Sequence, residues 1–304
     1  MRNAIKHAIE LLQLRAGPAS VARTTIRKKS LVLAYHNVVP DGAAIAGDRS
    51  LHLPRAEFAR QLDLLTQQCR VISLSSLSQE TYADAKVPRV VITFDDAYHG
   101  AVTTGIEELA KRALPATIFV PPAFVGGRSF WWDAFADPEA PEPLADLRRY
   151  ALEELHGADH LVRDWADRSG VPAHPVQRHA LTATEDELRI AVSQPGIELA
   201  SHSWSHPNLT QLGESELMNE MRRPLEWLRE RFEAVVPWLS YPYGMSSPNV
   251  EKAATVSGYE GALALGGGWL RSERANRFQL PRLNVPAGLS LNGFALRLAG
   301  LPLR

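Results

Sequence analysis

Seven short apolar segments, each followed by a helical or irregular stretch, constrain the fold of this 304-residue chain more than any other feature. They lie near residues 31–35, 90–94, 116–120, 197–200, 236–241, 261–265 and 278–283. Strands that alternate with helices are typical of parallel α/β folds. We therefore predict an α/β fold whose parallel sheet is closed, or nearly closed, into a barrel.

Side chains with reactive groups stand at or just beyond the ends of these segments. In parallel barrels the functional groups lie at the C-terminal ends of the strands. The residues in such places here are His36, Asp95, Asp96, His202, Tyr243 and Arg282. We therefore expect residues that are far apart in the sequence to share one mouth of the barrel.

Two adjacent carboxylates, Asp95 and Asp96, close the apolar segment at residues 90–94. Isolated charges are costly to bury, so a metal ion, a bound proton or a solvent-filled site would have to compensate. His202 and His206 lie four positions apart after another predicted strand. One carboxylate and two imidazoles form a three-ligand divalent site with coordination open for water, and the second carboxylate stays free as a base. The alternatives are a turn or helix cap for the aspartates and ordinary imidazoles for the histidines.

Three motifs follow one another along the chain, each after a predicted strand: Thr-Phe-Asp-Asp at 93–96, His-Ser-Trp-Ser-His at 202–206 and Tyr-Pro-Tyr-Gly at 241–244. With these motifs the chain resembles the polysaccharide deacetylase family, the NodB-homology domain of carbohydrate esterase family 4, from about Leu31 to about Val285. The resemblance implies an irregular (β/α)7 barrel that acts as a metal-dependent deacetylase.

The resemblance also implies roles for the motif residues: metal ligation by Asp96, His202 and His206, general base catalysis by Asp95, and oxyanion binding by a backbone N–H at Tyr243. A divalent ion in such a site lowers the pKa of water and polarises a carbonyl group, and a neighbouring carboxylate takes the proton. Zinc is the chemical default for these ligands, although cobalt, nickel or iron would fit them too.

The chain departs from the family pattern at two places. Ser240 stands where the family often carries an arginine that orients the base, and Leu280-Pro281-Arg282 stands where a Leu-x-His motif often supplies a general acid. We hypothesise that Arg282 pairs with Asp95 and that His36 gives a proton to the leaving amine. His99 is a second candidate for the acid. The alternatives are an exposed helix residue for His99 and a buried imidazole bonded to backbone for His36.

Residues 126–185 interrupt the alternation with a Pro- and acid-rich turn and helical patterns from about 144 to 167. We predict a helical insertion on one catalytic domain, residues 31–304, because about sixty residues alone would form a marginal core. Asp133 could reach the metal site from this insertion. Four aromatic side chains are predicted in rim loops, where they either stack on sugar rings or pack the loops: Trp131, Trp132, Trp204 and Trp269.

Residues 1–30 are basic and carry a short apolar stripe at helical spacing. We predict a helix there, which either lies on an anionic membrane or a partner as a basic amphipathic helix, or packs on its own domain. Glu10 and Gln13 interrupt the apolar stretch, so we do not expect a signal peptide. No segment approaches the roughly twenty apolar residues that span a bilayer. The expected location is cytoplasmic, including the inner membrane surface.

Composition excludes several function classes. The net charge of −1 provides no field that would favour nucleic acid, and the single cysteine, Cys69, excludes an internal disulfide framework and a thiolate metal cluster. We therefore predict a metal-dependent hydrolase that removes N-acetyl groups from a polysaccharide, an oligosaccharide or a glycan precursor. The alternatives are a hydrolase of another amide or of an O-acetyl ester, and a non-catalytic carbohydrate-binding protein on the same fold.

Overall fold

The structure, a computed structural model, describes residue 10 and residues 26–78, 87–137, 143–270 and 276–301, with the backbone alone at 143–145. Most of the helix predicted for residues 1–30 therefore lies outside the described residues. Among the residues that the structure describes, no helix is long and apolar enough to cross a membrane.

A closed ring of parallel strands forms the centre of the molecule. The described residues contain ten strands: β1 Ser30–Tyr35, β2 Asn37–Val39, β3 His52–Pro54, β4 Arg70–Ile72, β5 Arg89–Phe94, β6 Ala116–Val120, β7 Ile197–Ser201, β8 Val235–Ser240, β9 Gly261–Leu265 and β10 Leu280–Asn284. Seven of them close the ring in the order β1–β10–β9–β8–β7–β6–β5, with β5 returning to β1. Each predicted strand segment corresponds to one strand of the ring, so the predicted α/β barrel is confirmed.

The ring is irregular at β5. This strand pairs with β1 over its whole length, from Ser30↔Arg89 to Tyr35↔Phe94. Its N-terminal half also pairs with β4, while its last two residues, Thr93 and Phe94, pair with β6. One edge of β5 is thus shared between two neighbours. β2 and β3 form a separate parallel pair.

Helices cover the outside of the ring. They are α1 Arg55–Gln68, α2 Ile106–Ala110 (after a π-helical turn, Ala101–Gly105), α3 Trp131–Ala134, α4 Pro143–Glu154, α5 Asp159–Ser169, α6 Glu185–Val192, α7 Glu214–Arg231, α8 Pro248–Val256 and α9 Leu291–Leu298. The spacing of Phe58, Leu62 and Leu65 predicts the buried face of α1, and all three side chains are fully buried. Because each such side chain stabilises the fold by about 1.5–3 kcal/mol, these apolar faces fix the helices on the sheet.

The barrel interior changes from apolar to polar along its axis. One apolar side chain from each strand of the ring joins a single interior cluster: Val32, Val91, Phe119, Ala200, Trp238, Leu263 and Leu280. Side chains alternate between the two faces of a strand, so residues two positions further along point into the same interior. These include Thr93, Ser240 and Arg282, all of them fully buried. The C-terminal end of the barrel therefore holds polar groups.

The helices α3–α5 lie between β6 and β7, within the predicted insertion at residues 126–185. The turn between α4 and α5 bonds to two barrel loops. The carbonyl of His156 accepts from the backbone N–H of Asn208 at 2.7 Å, and that of Gly157 accepts from the hydroxyl of Tyr243 at 2.8 Å. The insertion is thus packed on the loops that follow β7 and β8.

Candidate active site

The two adjacent aspartates directly follow β5. The backbone N–H of Asp95 donates to the carbonyl of Tyr35 at 2.9 Å and extends the pairing with β1 by one residue. Asp96 then turns away from the strand with a φ of 69°. Both aspartates are 2 % exposed, so their charges depend on neighbouring groups rather than on water.

His202 and His206 share one loop after β7. The backbone N–H of His202 donates to the carbonyl of Val120 at 3.0 Å, and that of His206 donates to the hydroxyl of Ser203 at 3.1 Å. The carboxylate of Glu220 on α7 accepts from the backbone N–H groups of residues 204 and 205 at 2.9 and 2.8 Å. These bonds fix the loop that carries both imidazoles.

Asp96, His202 and His206 converge on one point. Each offers one ligand atom, and these atoms all lie within 4.8 Å of one another. Oδ1 of Asp96 is 3.4 Å from Nε2 of His202 and 3.3 Å from Nε2 of His206. In the part of the chain that the structure describes, this is the one group of His, Cys, Asp and Glu side chains that could hold a metal ion.

The hydrogen-bonding state of the three side chains fits a cation. Nδ1 of His202 lies 2.8 Å from the carbonyl oxygen of Ser240. Because a carbonyl only accepts, Nδ1 carries the proton and Nε2 keeps its lone pair. That lone pair faces Oδ1 of Asp96, a buried atom without a hydrogen bond to the described residues. Electron-rich atoms this close repel each other unless a positive charge lies between them, so the donor set fits a divalent ion.

The charge states agree with this fit. Burial alone would raise the pKa of Asp96, but the adjacent imidazoles of His202 and His206 outweigh burial and lower it. Burial, together with His202, lowers the pKa of His206 to about 3. Burial would also lower the pKa of His202, yet Asp95 and Asp96 outweigh it and raise that pKa. The carboxylates therefore attract positive charge to this point.

The structure brings Asp95 and Arg282 together. The two guanidinium NH groups of Arg282 donate to Oδ1 and Oδ2 of Asp95, each at 2.7 Å. They also donate to the hydroxyls of Thr93 and Ser240 at 3.2 and 2.7 Å. Burial alone would raise the pKa of Asp95, but Arg282, which is itself fully buried, outweighs burial and holds that pKa well below its usual range. Asp95 is therefore ionised and fixed in orientation.

Left-handed backbone is concentrated around these residues. Seven non-glycine residues of the described chain have positive φ, and five of them lie in the loops of the site: Asp96, Ala97, Ser203, His206 and Tyr243. This conformation costs a non-glycine residue roughly 1–2 kcal/mol. It persists where the surrounding contacts determine it, as is common at functional sites.

Tyr243 follows β8 and contacts both the metal-ligand loop and the insertion. Its ring lies 4.7 Å from the imidazole of His206. Its hydroxyl donates to the carbonyl of Gly157 and accepts from Nε1 of Trp131 at 3.4 Å. Gly157 has a φ of 62°, and a Cβ there would lie only 2.6 Å from the ring of Tyr243. A glycine is therefore required where the insertion meets this tyrosine.

A cavity of about 240 Å³ leads to these side chains. Of the predicted site residues, its lining includes His36, Asp95, Asp96, His202, His206 and Tyr243. Burial lowers the pKa of His36 against the opposing effect of the two aspartates, so its imidazole is neutral near pH 7. Arg282 is outside the lining and contacts the site through its hydrogen bonds to Asp95.

Two predicted candidates lie away from the ligand trio. Nδ1 of His99 is 2.9 Å from a carboxylate oxygen of Glu187, and His99 is outside the cavity lining. Asp133 accepts from Nε2 of His52 at 2.9 Å and from the hydroxyl of Tyr98 at 2.6 Å. It belongs to a polar cluster that joins α3 of the insertion to His52 and Tyr98.

Of the four tryptophans predicted at the rim, only Trp132 lines the cavity. Trp131 is fully buried. The guanidinium of Arg223 lies 3.9 Å from the ring centroid of Trp204, and Nε1 of Trp269 donates to the carbonyl of Arg297 at 3.4 Å. The contacts of these three correspond to packing within the protein.

Apart from Tyr241, which belongs to the third motif, the lining also contains residues that the sequence did not single out: Ser50, Leu51, Arg148, Leu152, Met245, Leu265 and Asn284. Leu265 and Asn284 are the last residues of β9 and β10, so their positions at strand ends were a usable signal. Arg148 and Leu152 come from α4, and no motif marks them.

Comparison with known proteins identifies a matching family. The sequence model described as Polysaccharide deacetylase matches residues 83–262, more than half of the chain. The matched region includes all three motifs, whereas His36 and Arg282 lie outside it.

Similar individual proteins agree with this match. YxkH of Bacillus subtilis (strain 168), which carries the name of a polysaccharide deacetylase, is 22% identical over 295 residues, which cover 95% of this chain and 83% of YxkH. The solved structure of Streptococcus pyogenes deacetylase PplD in complex with acetate has a TM-score of 0.62 at 15% identity, covering 89% of this chain and 98% of PplD. IcaB from Ammonifex degensii has a TM-score of 0.61 at 17% identity, covering 90% and 96%. At these identities the structural likeness shows a shared fold.

Proposed function

The chain belongs to the polysaccharide deacetylase family, and from this premise we propose that it is a metal-dependent hydrolase that removes N-acetyl groups from the sugar units of a polysaccharide, an oligosaccharide or a glycan precursor. As a member of this family it is a hydrolase of carbon–nitrogen bonds in acetylated sugars. The proposal adds the metal dependence, the roles of individual residues and the form of the substrate.

The observation that carries the proposal is the position of a fixed carboxylate beside a set of three ligands. Oδ2 of Asp95 lies 4.0 Å from Nε2 of His202, and the same oxygen accepts a hydrogen bond from Arg282 at 2.7 Å. Asp95 and the ligand trio border the same cavity. A base and a metal site that share one cavity are what the hydrolysis of an acetamide requires.

Asp96, His202 and His206 would hold the divalent ion, with zinc as the default and cobalt, nickel or iron as alternatives. When bound, such an ion supplies Lewis acidity, which polarises a carbonyl group and lowers the pKa of water. The carbonyl of Ser240 would fix the tautomer of His202, so that Nε2 is always the nitrogen available for ligation.

Asp95 would take the proton from the attacking water. Its low pKa keeps the carboxylate ionised at neutral pH, which a proton acceptor requires. Each of its oxygens keeps further lone-pair capacity after accepting from Arg282. The arginine would therefore orient the base without blocking it.

Tyr243 and His36 would serve the remaining steps. The backbone N–H of Tyr243 would stabilise the oxyanion of the tetrahedral intermediate. His36 lines the cavity and would give a proton to the leaving amine. Because burial leaves its imidazole neutral near pH 7, His36 would first have to gain a proton, and the one that Asp95 removes from the attacking water would balance the transfer to the leaving amine.

The size of the cavity suggests how much of the substrate enters it. At about 240 Å³ it is below the roughly 300–1,000 Å³ of drug-sized ligand sites. One N-acetylated sugar unit would occupy it, and the rest of a chain would lie outside.

The test is acetate release from N-acetylglucosamine oligomers by the metal-loaded protein. We expect release by the wild type, loss on chelation, and a rate about 10²–10⁴-fold lower for Asp95→Asn. His36→Ala should also lower the rate, whereas its control His99→Ala, outside the cavity lining, should not. If metal binds and no acetylated sugar releases acetate, a carbohydrate-binding protein or a different amide substrate becomes the better proposal.

A further inference from the structure

We infer that Arg148, on helix α4 of the insertion, is a specificity-determining residue that binds oxygen atoms of the sugar unit in the cavity. The inference rests on the proposed function, because it concerns the substrate of the same site. It assigns to the insertion a direct part in substrate recognition, beyond its packing on the barrel.

Arg148 has the position and exposure of a ligand-binding group. It lines the cavity together with Asp95 and the candidate metal ligands. Its side chain is 38 % exposed, so its guanidinium is neither buried in the protein nor fully surrounded by water. Its charge also acts on the phenol of Tyr243, which lines the same cavity.

A buried carboxylate holds this guanidinium in place. One NH2 group of Arg148 donates to Oδ2 of Asp48, whose side chain is only 8 % exposed. Oδ1 of Asp48 accepts from the backbone N–H and the hydroxyl of Ser50 at 3.1 and 2.7 Å. The backbone N–H of Asp48 donates to Asp133 at 2.9 Å. Arg148 is therefore oriented by a rigid set of contacts before any ligand arrives, which lowers the entropic cost of binding.

The chemistry that remains available is hydrogen-bond donation. A guanidinium carries five N–H donors and no acceptor, and the contact with Asp48 leaves several of them free to face the cavity. Asp48 compensates the charge of Arg148, so the pair does not require an anionic ligand. Oxygen acceptors on a sugar, such as hydroxyl, ring or acetyl oxygens, match this arrangement.

The neighbours of Arg148 on α4 separate the cavity face from the solvent face. Leu152 lies one turn further along, at i+4, and also lines the cavity. Arg149, the next residue in sequence, has a side chain that is 67 % exposed and pairs with Asp146 on the same helix. The two adjacent arginines therefore provide a matched pair for mutation.

The experiment measures binding and catalysis separately. Binding of an N-acetylglucosamine oligomer to metal-loaded Asp95→Asn protein is compared with binding to the same protein carrying Arg148→Met or Arg149→Met. We expect about 10- to 100-fold weaker binding for Arg148→Met, since hydrogen bonds from charged groups are lost, and unchanged binding for Arg149→Met. Methionine keeps the packing of the aliphatic stem.

In the otherwise wild-type protein, Arg148→Met should raise KM with a much smaller change in kcat. Because Asp48 loses its partner in this variant, its melting temperature should fall below that of Arg149→Met, and binding and KM are measured below both melting temperatures. Arg148→Lys should recover part of the loss, because lysine keeps a donor but not the planar fork. Equal binding by the Arg148→Met and Arg149→Met proteins would overturn the inference. That outcome differs from failure of the proposed function, in which the wild type binds sugar but releases no acetate.

Discussion

The two sides of the candidate site hold their buried carboxylates in different ways. On the barrel side, Asp95 forms a two-point ion pair with Arg282, and both side chains project from the barrel strands or their ends. On the insertion side, Asp133 is equally buried, at 2 % exposure. Its described partners are the ring N–H of His52, the hydroxyl of Tyr98 and the backbone N–H of Asp48.

The difference shows how each side is stabilised. A buried ion pair stays favourable only while both partners are present, because either charge alone is poorly solvated. A carboxylate that accepts several hydrogen bonds distributes its charge over donors from separate segments. On the barrel side the buried carboxylate is thus stabilised by one ion pair. On the insertion side it is stabilised by a network of hydrogen bonds that links the β1–β3 region to α3.

The network extends to the metal ligands through Trp132. Nε1 of Trp132 donates to the hydroxyl of Tyr98 at 2.8 Å, and its ring centroid lies 5.1 Å from that of His206. Asp133 therefore contacts both the hydroxyl that positions Trp132 and the segment that positions Arg148. Asp133 thus influences the site through these neighbours and is not itself one of the three candidate metal ligands.

Removing the cation on the barrel side should have the largest effect. Arg282→Met leaves Asp95 buried without its partner, and we expect the free energy of unfolding to fall by about 3–5 kcal/mol. Urea denaturation measures this change. The double variant Asp95→Asn/Arg282→Met carries no uncompensated charge and should be the more stable of the two. If it is not, the pair is not the main stabilising contact of this side.

Changing the carboxylate on the insertion side should lower the free energy of unfolding less than Arg282→Met does. Asp133→Asn replaces one accepting oxygen by an NH2 group, which conflicts with the donors around it, and we expect a loss of about 1–3 kcal/mol. The control is Asp186→Asn, where the side chain is 88 % exposed and no measurable change is expected. A loss as large as that of Arg282→Met would remove the distinction between the two sides.

The contact between the insertion and Tyr243 can be tested with two glycines. Gly157→Ala and Gly170→Ala both place a Cβ at left-handed backbone, with φ of 62° and 67°, at a cost of about 1–2 kcal/mol each. Only at Gly157 does the new Cβ meet Tyr243; at Gly170 no heavy atom lies within 4 Å. Acetate release should therefore fall about 10- to 100-fold for Gly157→Ala alone. Equal rates for the two variants would show that the position of Tyr243 is unimportant.

The smallest loss of stability is expected for replacement of Glu108, a carboxylate outside both sides of the candidate site. Burial alone would raise the pKa of Glu108, but hydrogen bonds from Lys111, Arg112 and Arg55 outweigh it and lower the pKa to about 2. A lowered pKa in the folded state stabilises the protein above the ordinary glutamate range, near pH 4.5, and this contribution is lost as the pH falls towards 2.

Wild type and Glu108→Gln should therefore differ by about 1 kcal/mol at pH 6 and approach each other as the pH falls to 3. Thermal unfolding across this range measures the difference. A difference that grows on acidification would contradict the assigned direction of the pKa shift.

The sequence predicts the barrel side of the site better than the insertion side. Asp95 and His202 directly follow β5 and β7, and Arg282 lies two residues before the end of β10. A parallel barrel brings the C-terminal ends of all strands to one mouth, whatever their separation in sequence. For this reason the sequence supports a pairing of Asp95 with Arg282, although the two residues lie 187 positions apart.

The insertion side has no comparable rule. The charged surface pattern of α4 indicates a solvated helix and does not reveal that Arg148 faces a cavity while Arg149 faces solvent. Asp133 could have been a ligand, and its actual contacts with His52 and Asp48 join loops whose approach no periodicity predicts. His99 likewise depends on a distant partner, Glu187 on α6.

The closing of the ring by its last strand has a consequence for folding. The contact between Asp95 and Arg282 spans 187 positions of sequence, and β1 pairs with both β5 and β10. A chain that is synthesised from its N-terminus must wait for β10 before β1 has both neighbours, and contacts of such long range form slowly. The base of the candidate site therefore gains its partner only after the chain has been synthesised as far as β10.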